Sequence, residues 1–223
     1  MKRIFILLMV AMCATMFTAC SDDDNKGQII ENEGIITMVT EKNEFSFWMV
    51  TSQSSTVTID WGDNTVQVCV VEYDKYNRYF AKLEHTYSDK VQHTIKISGC
   101  TELKELSCKE NQLTALNIKC TTLEFLECYN NLLTSLDVST CIALEYLSCQ
   151  KNQLTSLDIT GCVTLLELFC SGNQFSENTM NKIYNALPDR NKKDGGYIEV
   201  SVPYGETTIA ENKNWSVYKS TTN

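Results

Sequence analysis

The segment Leu103-x-x-Leu106-x-Cys108-x-x-Asn111-x-Leu113 recurs three more times along the chain, at intervals of twenty or twenty-one residues. The further copies read Leu123-x-x-Leu126-x-Cys128-x-x-Asn131-x-Leu133, Leu144-x-x-Leu147-x-Cys149-x-x-Asn152-x-Leu154 and Leu165-x-x-Leu168-x-Cys170-x-x-Asn173-x-Phe175. We call these segments the four units. One such segment is too small to bury its own apolar face, so the units are expected to stack and share a continuous core.

The spacing within the units resembles that of the leucine-rich-repeat family, with cysteine in the third apolar position. The resemblance implies a short solenoid over residues 100–175. Leu106-x-Cys108 alternates with the period of a β-strand, so stacked copies are expected to form a parallel sheet. A second apolar pair, such as Leu157-x-Ile159, should fill the return side. The asparagines should hydrogen-bond backbone groups where the chain leaves each strand.

Eight cysteines form two ladders at the spacing of the units. They are Cys108, Cys128, Cys149 and Cys170, and Cys100, Cys120, Cys141 and Cys162. Many cysteines in an exported chain are typical of disulfides. Neighbours in a parallel stack, however, lie about 4.8 Å apart with side chains pointing the same way, which suits disulfide geometry poorly. Buried thiols that pack as small apolar groups are therefore favoured. Zinc is disfavoured, because the units contain no histidine and no Cys-x-x-Cys pair.

Residues 29–99 have a different pattern, with strand-like alternation over 45–50 and 56–59. They also contain Asp60-Trp61-Gly62-Asp63 and His85-Thr86-Tyr87. This combination resembles the PKD family of immunoglobulin-like β-sandwiches, and the resemblance implies that Trp61 and Tyr87 are core or corner residues. Asp60 and Asp63 are weak candidates for binding calcium, and a tight turn explains both of them equally well.

Both ends of the stacked units are expected to be capped. Ile95-x-Ile97-Ser98-Gly99-Cys100 overlays Leu157-x-Ile159-Thr160-Gly161-Cys162, so the N-terminal sandwich should cap the units directly, without a linker. Residues 176–223 predict a helix-plus-strand cap. Its helix has Ser176 as N-cap and an apolar face of Met180, Ile183, Tyr184 and Leu187. A strand over 197–202 follows, and Trp215 is expected to be a packing anchor.

The predicted fold class is therefore mixed (α+β). It combines a PKD-like β-sandwich, a short leucine-rich-repeat solenoid with a parallel β-sheet, and a C-terminal helix-plus-strand cap.

The first residues have the composition of a bacterial export signal. Lys2 and Arg3 precede an apolar stretch too short for a comfortable transmembrane helix, and Phe17-Thr18-Ala19-Cys20 resembles the lipobox of bacterial lipoproteins. The resemblance implies a signal peptide over 1–19, lipid attachment at Cys20 and a lipidated tether over 20–28. An ordinary secretory signal is the alternative. The acidic run over 21–25 resembles a signal for display on the outer face of the outer membrane, with a periplasm-facing anchor or a simple solvated tether as alternatives.

Function in such an array must use residues that point away from the core. On the predicted concave sheet these include Phe125, Tyr129, Tyr146 and Phe169, with Glu127 among them. The other outward positions are Glu105, Ser107, Lys109, Ser148, Gln150, Glu167 and Ser171. Aromatic residues concentrated on one face are typical of binding hot spots for a protein segment or a glycan. The ordinary preference of aromatic residues for strands explains them equally well.

The sequence contains no enzymatic or cofactor-binding constellation. It lacks a Gly-rich phosphate loop, a nucleophile elbow and a His-rich metal motif. A formal net charge of −9 disfavours nucleic acid as a partner. The predicted function is a surface-displayed lipoprotein, attached to the outer membrane by its N-terminal lipid, that binds or adheres to a protein or glycan through its concave face. The alternative is a structural or accessory subunit of a cell-envelope complex.

Overall fold

A computed structural model describes residues 34–191, 194–202 and 204–220. The strands are β1 (Ile36–Thr40), β2 (Glu44–Thr51), β3 (Ser55–Asp60), β4 (Val66–Tyr73), β5 (Tyr79–Thr86), β6 (His93–Ser98), β7 (Leu103–Ser107), β8 (Ala115–Ile118), β9 (Phe125–Glu127), β10 (Tyr146–Ser148), β11 (Glu167–Phe169), β12 (Gly196–Val200) and β13 (Trp215–Lys219). The helices are α1 (Glu177–Ala186) and α2 (Thr208–Glu211). The expected mixture of strand and helix is confirmed, with strand strongly dominant. The predicted signal peptide, Cys20 and the tether lie outside the described residues.

The first six strands form two sheets that share one core. Strands β4, β3, β6 and β1 pair antiparallel in that order, and β5 pairs antiparallel with β2. The sheets meet at one corner, where Glu72 and Tyr73 of β4 pair with β5. Trp61 is 1% exposed, and Tyr87 donates a hydrogen bond of 2.8 Å to the Trp61 carbonyl. Both residues belong to the core, as predicted.

The four units lie side by side, each contributing one strand to a parallel sheet. Strands β7, β9, β10 and β11 pair in this order. The central leucines of the strands stand opposite one another and are completely buried: Leu106, Leu126, Leu147 and Leu168. On the return side β8 belongs to the first unit, and parallel bridges join Asn117 to Asp137 and Asp137 to Asp158. The spacing seen in the sequence is therefore the spacing of adjacent strands.

The asparagines form a hydrogen-bonded ladder along one edge of this sheet. Asn131 Nδ2 donates to the carbonyls of Cys108 (3.1 Å) and Cys128 (2.9 Å). Its Oδ1 accepts from the backbone N–H groups of Asn111 (2.9 Å) and Leu113 (3.0 Å). Asn152 and Asn173 repeat most of this arrangement one and two units further on. Each amide thus satisfies buried backbone groups of its own unit and of the unit before it.

The N-terminal sheets continue directly into the units. Strand β2 pairs antiparallel with β7, and β1 pairs antiparallel with β8. The predicted overlay of β6 on the return side needs a correction, because β1 lies between β6 and β8. Met38 of β1 stands opposite Ile95 of β6 on one side and opposite Leu116 of β8 on the other. Ile95 and Leu116 are therefore still at the same level, as the overlay predicted, although β1 lies between their strands.

The C-terminal residues extend the parallel sheet by two strands. Helix α1 has Ser176 as its N-cap, accepting from the N–H of Thr179, and it buries Met180, Ile183 and Tyr184. Strand β12 then pairs parallel with β11, and β13 pairs parallel with β12. The indole of Trp215 is buried and donates a hydrogen bond of 2.8 Å to the Pro188 carbonyl. The predicted helix, strand and tryptophan anchor are confirmed.

The cysteine ladders lie inside the core. All eight thiols are buried and free, and the ninth described cysteine, Cys69, is half-buried and also free. Burial raises the pKa of the Cys108 and Cys149 thiols to about 12, so the sulfur atoms are protonated at neutral pH. Within the described residues no helix has both the length and the apolar character to cross a bilayer.

Candidate binding face

Seven aromatic side chains form a continuous row on the open face of the sheet. They are Phe80, Trp48, Phe125, Tyr146, Phe169, Tyr197 and Tyr218, and we call them the aromatic row. The row begins on β5 and β2, passes over β7 and continues through β9 to β13. It therefore crosses the N-terminal sheets, the units and the C-terminal strands without a break.

The rings of the row pack against one another across the strands. Phe125 and Tyr146 are register partners, with centroids 4.3 Å apart and ring planes within 10°. Trp48 reaches over β7 to stack on Phe125 at 6.0 Å, and Tyr146 meets Phe169 at 5.3 Å. Because the strands are about 4.8 Å apart, side chains standing perpendicular to the sheet bring their ring faces together. In the closest pair, Phe125 and Tyr146, the facing ring surfaces are therefore covered by each other.

Three of the four aromatic residues predicted from the sequence belong to the row. Phe125, Tyr146 and Phe169 are neighbours in it, whereas Tyr129 is not. Tyr129 lies beyond the end of β9, with the ammonium group of Lys109 5.2 Å from its ring centroid. The tyrosine follows the strand at the point where the chain turns, next to Asn130 with its φ of 55°.

The sequence reasoning missed the four outer members of the row. Tyr197 lies in the tripeptide Tyr197-Ile198-Glu199, and Ile198 stands opposite Leu168, so extending the unit alignment into β12 would have found it. Trp48 and Phe80 lie on strands whose antiparallel partners are distant in the chain, and no local signal marks that pairing. Tyr218 ends the row and is 55% exposed.

Four carboxylates share this face with the aromatic row: Glu105, Glu127, Glu167 and Glu199. Glu127 pairs with Lys109 at 3.0 Å and accepts a hydrogen bond of 2.8 Å from Ser107. Glu199 accepts from Ser171 at 2.7 Å. Glu167 is exposed between the register positions of Tyr146 and Tyr197. The face therefore combines apolar ring edges with negative charge.

Neighbouring charges and burial shift the ionisation of these groups. Burial raises the pKa of Glu105, and the carboxylates of Glu124 and Glu127 raise it further while Arg78 opposes them. Burial, followed by Glu127, also raises the pKa of Tyr146. Burial would lower the pKa of Lys109, but its hydrogen bonds to Glu127 and Tyr129, together with their charges, outweigh burial and raise that pKa. A cation brought to this face would relieve the crowding of negative charge.

Three positions predicted to face outward are buried. Ser107 and Ser148 are 2% exposed and Ser171 is 6% exposed. Each lies among large neighbours on the adjacent strands, and each hydroxyl donates to a longer polar side chain: Glu127, Gln150 or Glu199. These three serines orient the polar side chains beside them and offer no surface for a ligand.

The two aspartates considered for calcium serve the turn between β3 and β4. Asp60 accepts a hydrogen bond from the N–H of Gly62 at 3.0 Å. Asp63 accepts from the N–H of Thr65 at 3.0 Å, and its other oxygen is 2.8 Å from His85 Nε2. Partial burial raises the pKa of Asp63, but hydrogen bonds from Thr65 and His85 outweigh it and lower that pKa to about 2. Among the described residues no group of His, Cys, Asp or Glu has a metal-binding arrangement.

Comparison with known proteins found no match, neither to a protein-family model nor to a curated protein.

Proposed function

We propose that this protein is a lipid-anchored binding protein of the bacterial cell surface, and that the aromatic row is its ligand site. In this proposal the units are a leucine-rich-repeat solenoid capped by a PKD-like sandwich and by the C-terminal strands. The observation that carries the proposal is the row itself, because seven rings and four carboxylates occupy one open face without serving the core. Large aromatic side chains concentrated on an open face are typical of binding hot spots.

The stacking of the rings favours a protein segment over a glycan. A sugar packs its polarised C–H groups on the electron-rich face of an aromatic ring, whereas ring edges carry partial positive charge. In the row, the faces of Phe125 and Tyr146 are covered by each other at 4.3 Å. Apolar and aromatic side chains of a polypeptide pack well on ring edges. The carboxylates beside the rings favour lysine and arginine in that polypeptide.

Binding arrays test the site and its ligand class together. The full-length protein is applied to arrays of short basic, neutral and acidic peptides, and to arrays of neutral and acidic glycans. We expect the basic peptides with aromatic or aliphatic residues to bind. Replacing Phe125, Tyr146 and Phe169 together by alanine should weaken that binding by about 2 kcal/mol or more, roughly thirtyfold.

A matched control uses a tyrosine outside the row. Tyr76 is 67% exposed in the connection between β4 and β5, so Tyr76→Ala removes a similar ring without touching the row. It should leave binding unchanged. Equal binding by the triple variant and the wild type would refute the proposed site. Binding to glycans alone would refute the ligand class, and binding to a single envelope protein through another face would favour the accessory role.

Protease treatment of intact cells tests the proposed display. Degradation of the protein without cell lysis is expected for a surface-exposed chain. Full protection on intact cells, with degradation only after lysis, would instead place the protein on the periplasmic side of the outer membrane.

A further inference from the structure

Within the part of the chain that the structure describes, strand β4 has a free edge over most of its length. Its residues 66–71 pair with β3 on one side, whereas on the other side only Glu72 and Tyr73 pair with a described strand, β5. Hydrogen bonds at the two ends of β4 show which residues point their backbone N–H and C=O groups toward β3 and which point them the other way. Trp61 N–H donates to the Thr65 carbonyl on the β3 side, and Asp74 N–H donates to the Arg78 carbonyl on the β5 side. By that alternation, the N–H and C=O groups of Val66, Val68 and Val70 point toward the free edge.

The side chains at these same positions are exposed and apolar. Val66, Val68 and Val70 are 63%, 65% and 51% exposed. The intervening residues as far as Val71 carry no charge, and the stretch contains neither proline nor glycine. An open, uncharged, β-branched edge is a template for pairing with another strand. We call residues 66–71 the valine edge.

Two other strand edges among the described residues carry charged side chains. The open side of β5 carries Lys82 and Glu84, which form an ion pair of 2.6 Å. The last strand, β13, ends with the exposed Lys219. Charged side chains on an edge discourage the approach of another strand. The valine edge lacks such protection.

We propose that two copies of this chain associate by antiparallel pairing of their valine edges, giving a two-fold dimer with Val68 opposite Val68 of the second copy. Antiparallel pairing about Val68 places Val66 opposite Val70, so the edge is complementary to itself. The outward backbone groups of the three valines then form six hydrogen bonds, and the valine side chains meet on one face.

The net charge of the chain restricts where a second copy can approach. Each chain has a formal net charge of −9, so two copies repel each other over most of their surfaces. The valine edge lets the backbones approach without placing like charges opposite each other. One strand per copy covers much less than the roughly 800 Å² per partner of a standard interface. The dimer is therefore weak and forms at high local concentration. It uses a different edge of the molecule from the aromatic row and does not depend on the proposed ligand.

Sedimentation of the full-length protein in detergent over a range of concentrations tests the dimer. We expect a monomer–dimer equilibrium for the wild type. Val68→Lys should lower the association constant at least tenfold, because two ammonium groups would face each other across the two-fold axis. Val163→Lys is the matched control, since Val163 is 61% exposed in the turn between β10 and β11. Unchanged melting temperatures establish that both variants fold.

Cross-linking identifies the edge that pairs. In a Cys69→Ala background, Val68→Cys and Val163→Cys are treated with a short bis-maleimide reagent. A cross-linked dimer formed by Val68→Cys alone supports the proposal, because opposite Cα atoms in such a pair lie about 5.5 Å apart. A protein that stays monomeric at all concentrations would overturn it. A dimer that persists in Val68→Lys, or a cross-link from Val68→Cys only to a different protein, would also overturn it.

Discussion

Replacing Asn131 by alanine should destabilise the protein far more than a typical Asn→Ala substitution. The residue is 5% exposed, and its amide joins the first unit to the second. The substitution leaves the N–H groups of Asn111 and Leu113 without their acceptor. It also removes one of the two asparagine donors to each of the carbonyls of Cys108 and Cys128, which keep the other. Two orphaned N–H groups at roughly 1.5 kcal/mol each and two lost bonds to carbonyls that keep a donor, at roughly 0.5 kcal/mol each, give a loss of about 4 kcal/mol, less if water enters the cavity.

Urea denaturation followed by circular dichroism measures this loss. For a chain of this size, about 4 kcal/mol corresponds to a fall in melting temperature on the order of 10 °C. Asn117→Ala is the matched control, because Asn117 is exposed on β8 and its substitution should change stability by less than about 0.5 kcal/mol.

The ladder also predicts a gradient along the units. Asn173 is less buried, and it makes one bond fewer to backbone N–H groups than Asn131 does. Asn173→Ala should therefore cost less than Asn131→Ala. A loss below about 1 kcal/mol for Asn131→Ala, or equal losses for Asn131→Ala and Asn117→Ala, would refute the role of the ladder.

Three further substitutions probe the core, the C-terminal strands and the β3–β4 turn. Cys149→Ser should destabilise the protein by about 1–3 kcal/mol more than Cys149→Ala does, because it leaves a hydroxyl in an apolar ladder. The wild-type Cys149 thiol, whose pKa burial raises to about 12, should react with iodoacetamide only after unfolding. Gly196→Ala would place a Cβ within 2.3 Å of the Trp215 ring and should cost about 3 kcal/mol in denaturant melts, whereas Gly195→Ala, at 3.2 Å from the Asn214 carbonyl, should cost much less. Asp63→Asn should lower the melting temperature at neutral pH. Because the pKa of Asp63 is lowered from 3.8 to about 2 in the fold, the stability that its carboxylate contributes is present above about pH 4 and is lost as the pH falls to about 2. The melting temperatures of the wild type and the variant should therefore converge over that interval.

The sequence predicted the parts of this fold that repeat locally. Leu106, Cys108 and Asn111 recur at one spacing, and each occupies the place in its strand that the spacing requires. Ser176 and Met180 likewise follow local rules of helix capping and periodicity. Such features could be predicted because their partners lie within one turn or one unit of the chain.

The sequence could not show which strands pair across the join. The position of β1 between β6 and β8 depends on antiparallel partners far apart in the chain, and antiparallel pairing leaves no fixed spacing to detect. The same limitation hid Trp48, whose ring reaches Phe125 only because β2 lies beside β7. Tyr129 stays outside the row for a local reason. Its strand ends two residues earlier, at Glu127, and its ring instead meets the ammonium group of Lys109, which also pairs with Glu127.

Strands β1 and β2, which lie in different sheets, occupy the two places that a preceding unit would occupy. Strand β2 lies beside β7 as one unit strand lies beside the next, and β1 lies beside β8 on the return side. The backbone of Ser46 binds the side chain of Asn111 through both its N–H and its carbonyl, as the backbone of the first unit binds Asn131. Without these two strands, the apolar end of the first unit around Leu106 and Leu116 would face water, at a cost of about 25 cal/mol per Å² exposed. Residues 34–99 are therefore part of the same cooperative structure as the units, and a fragment beginning at Cys100 should fail to fold although the sequence pattern changes there.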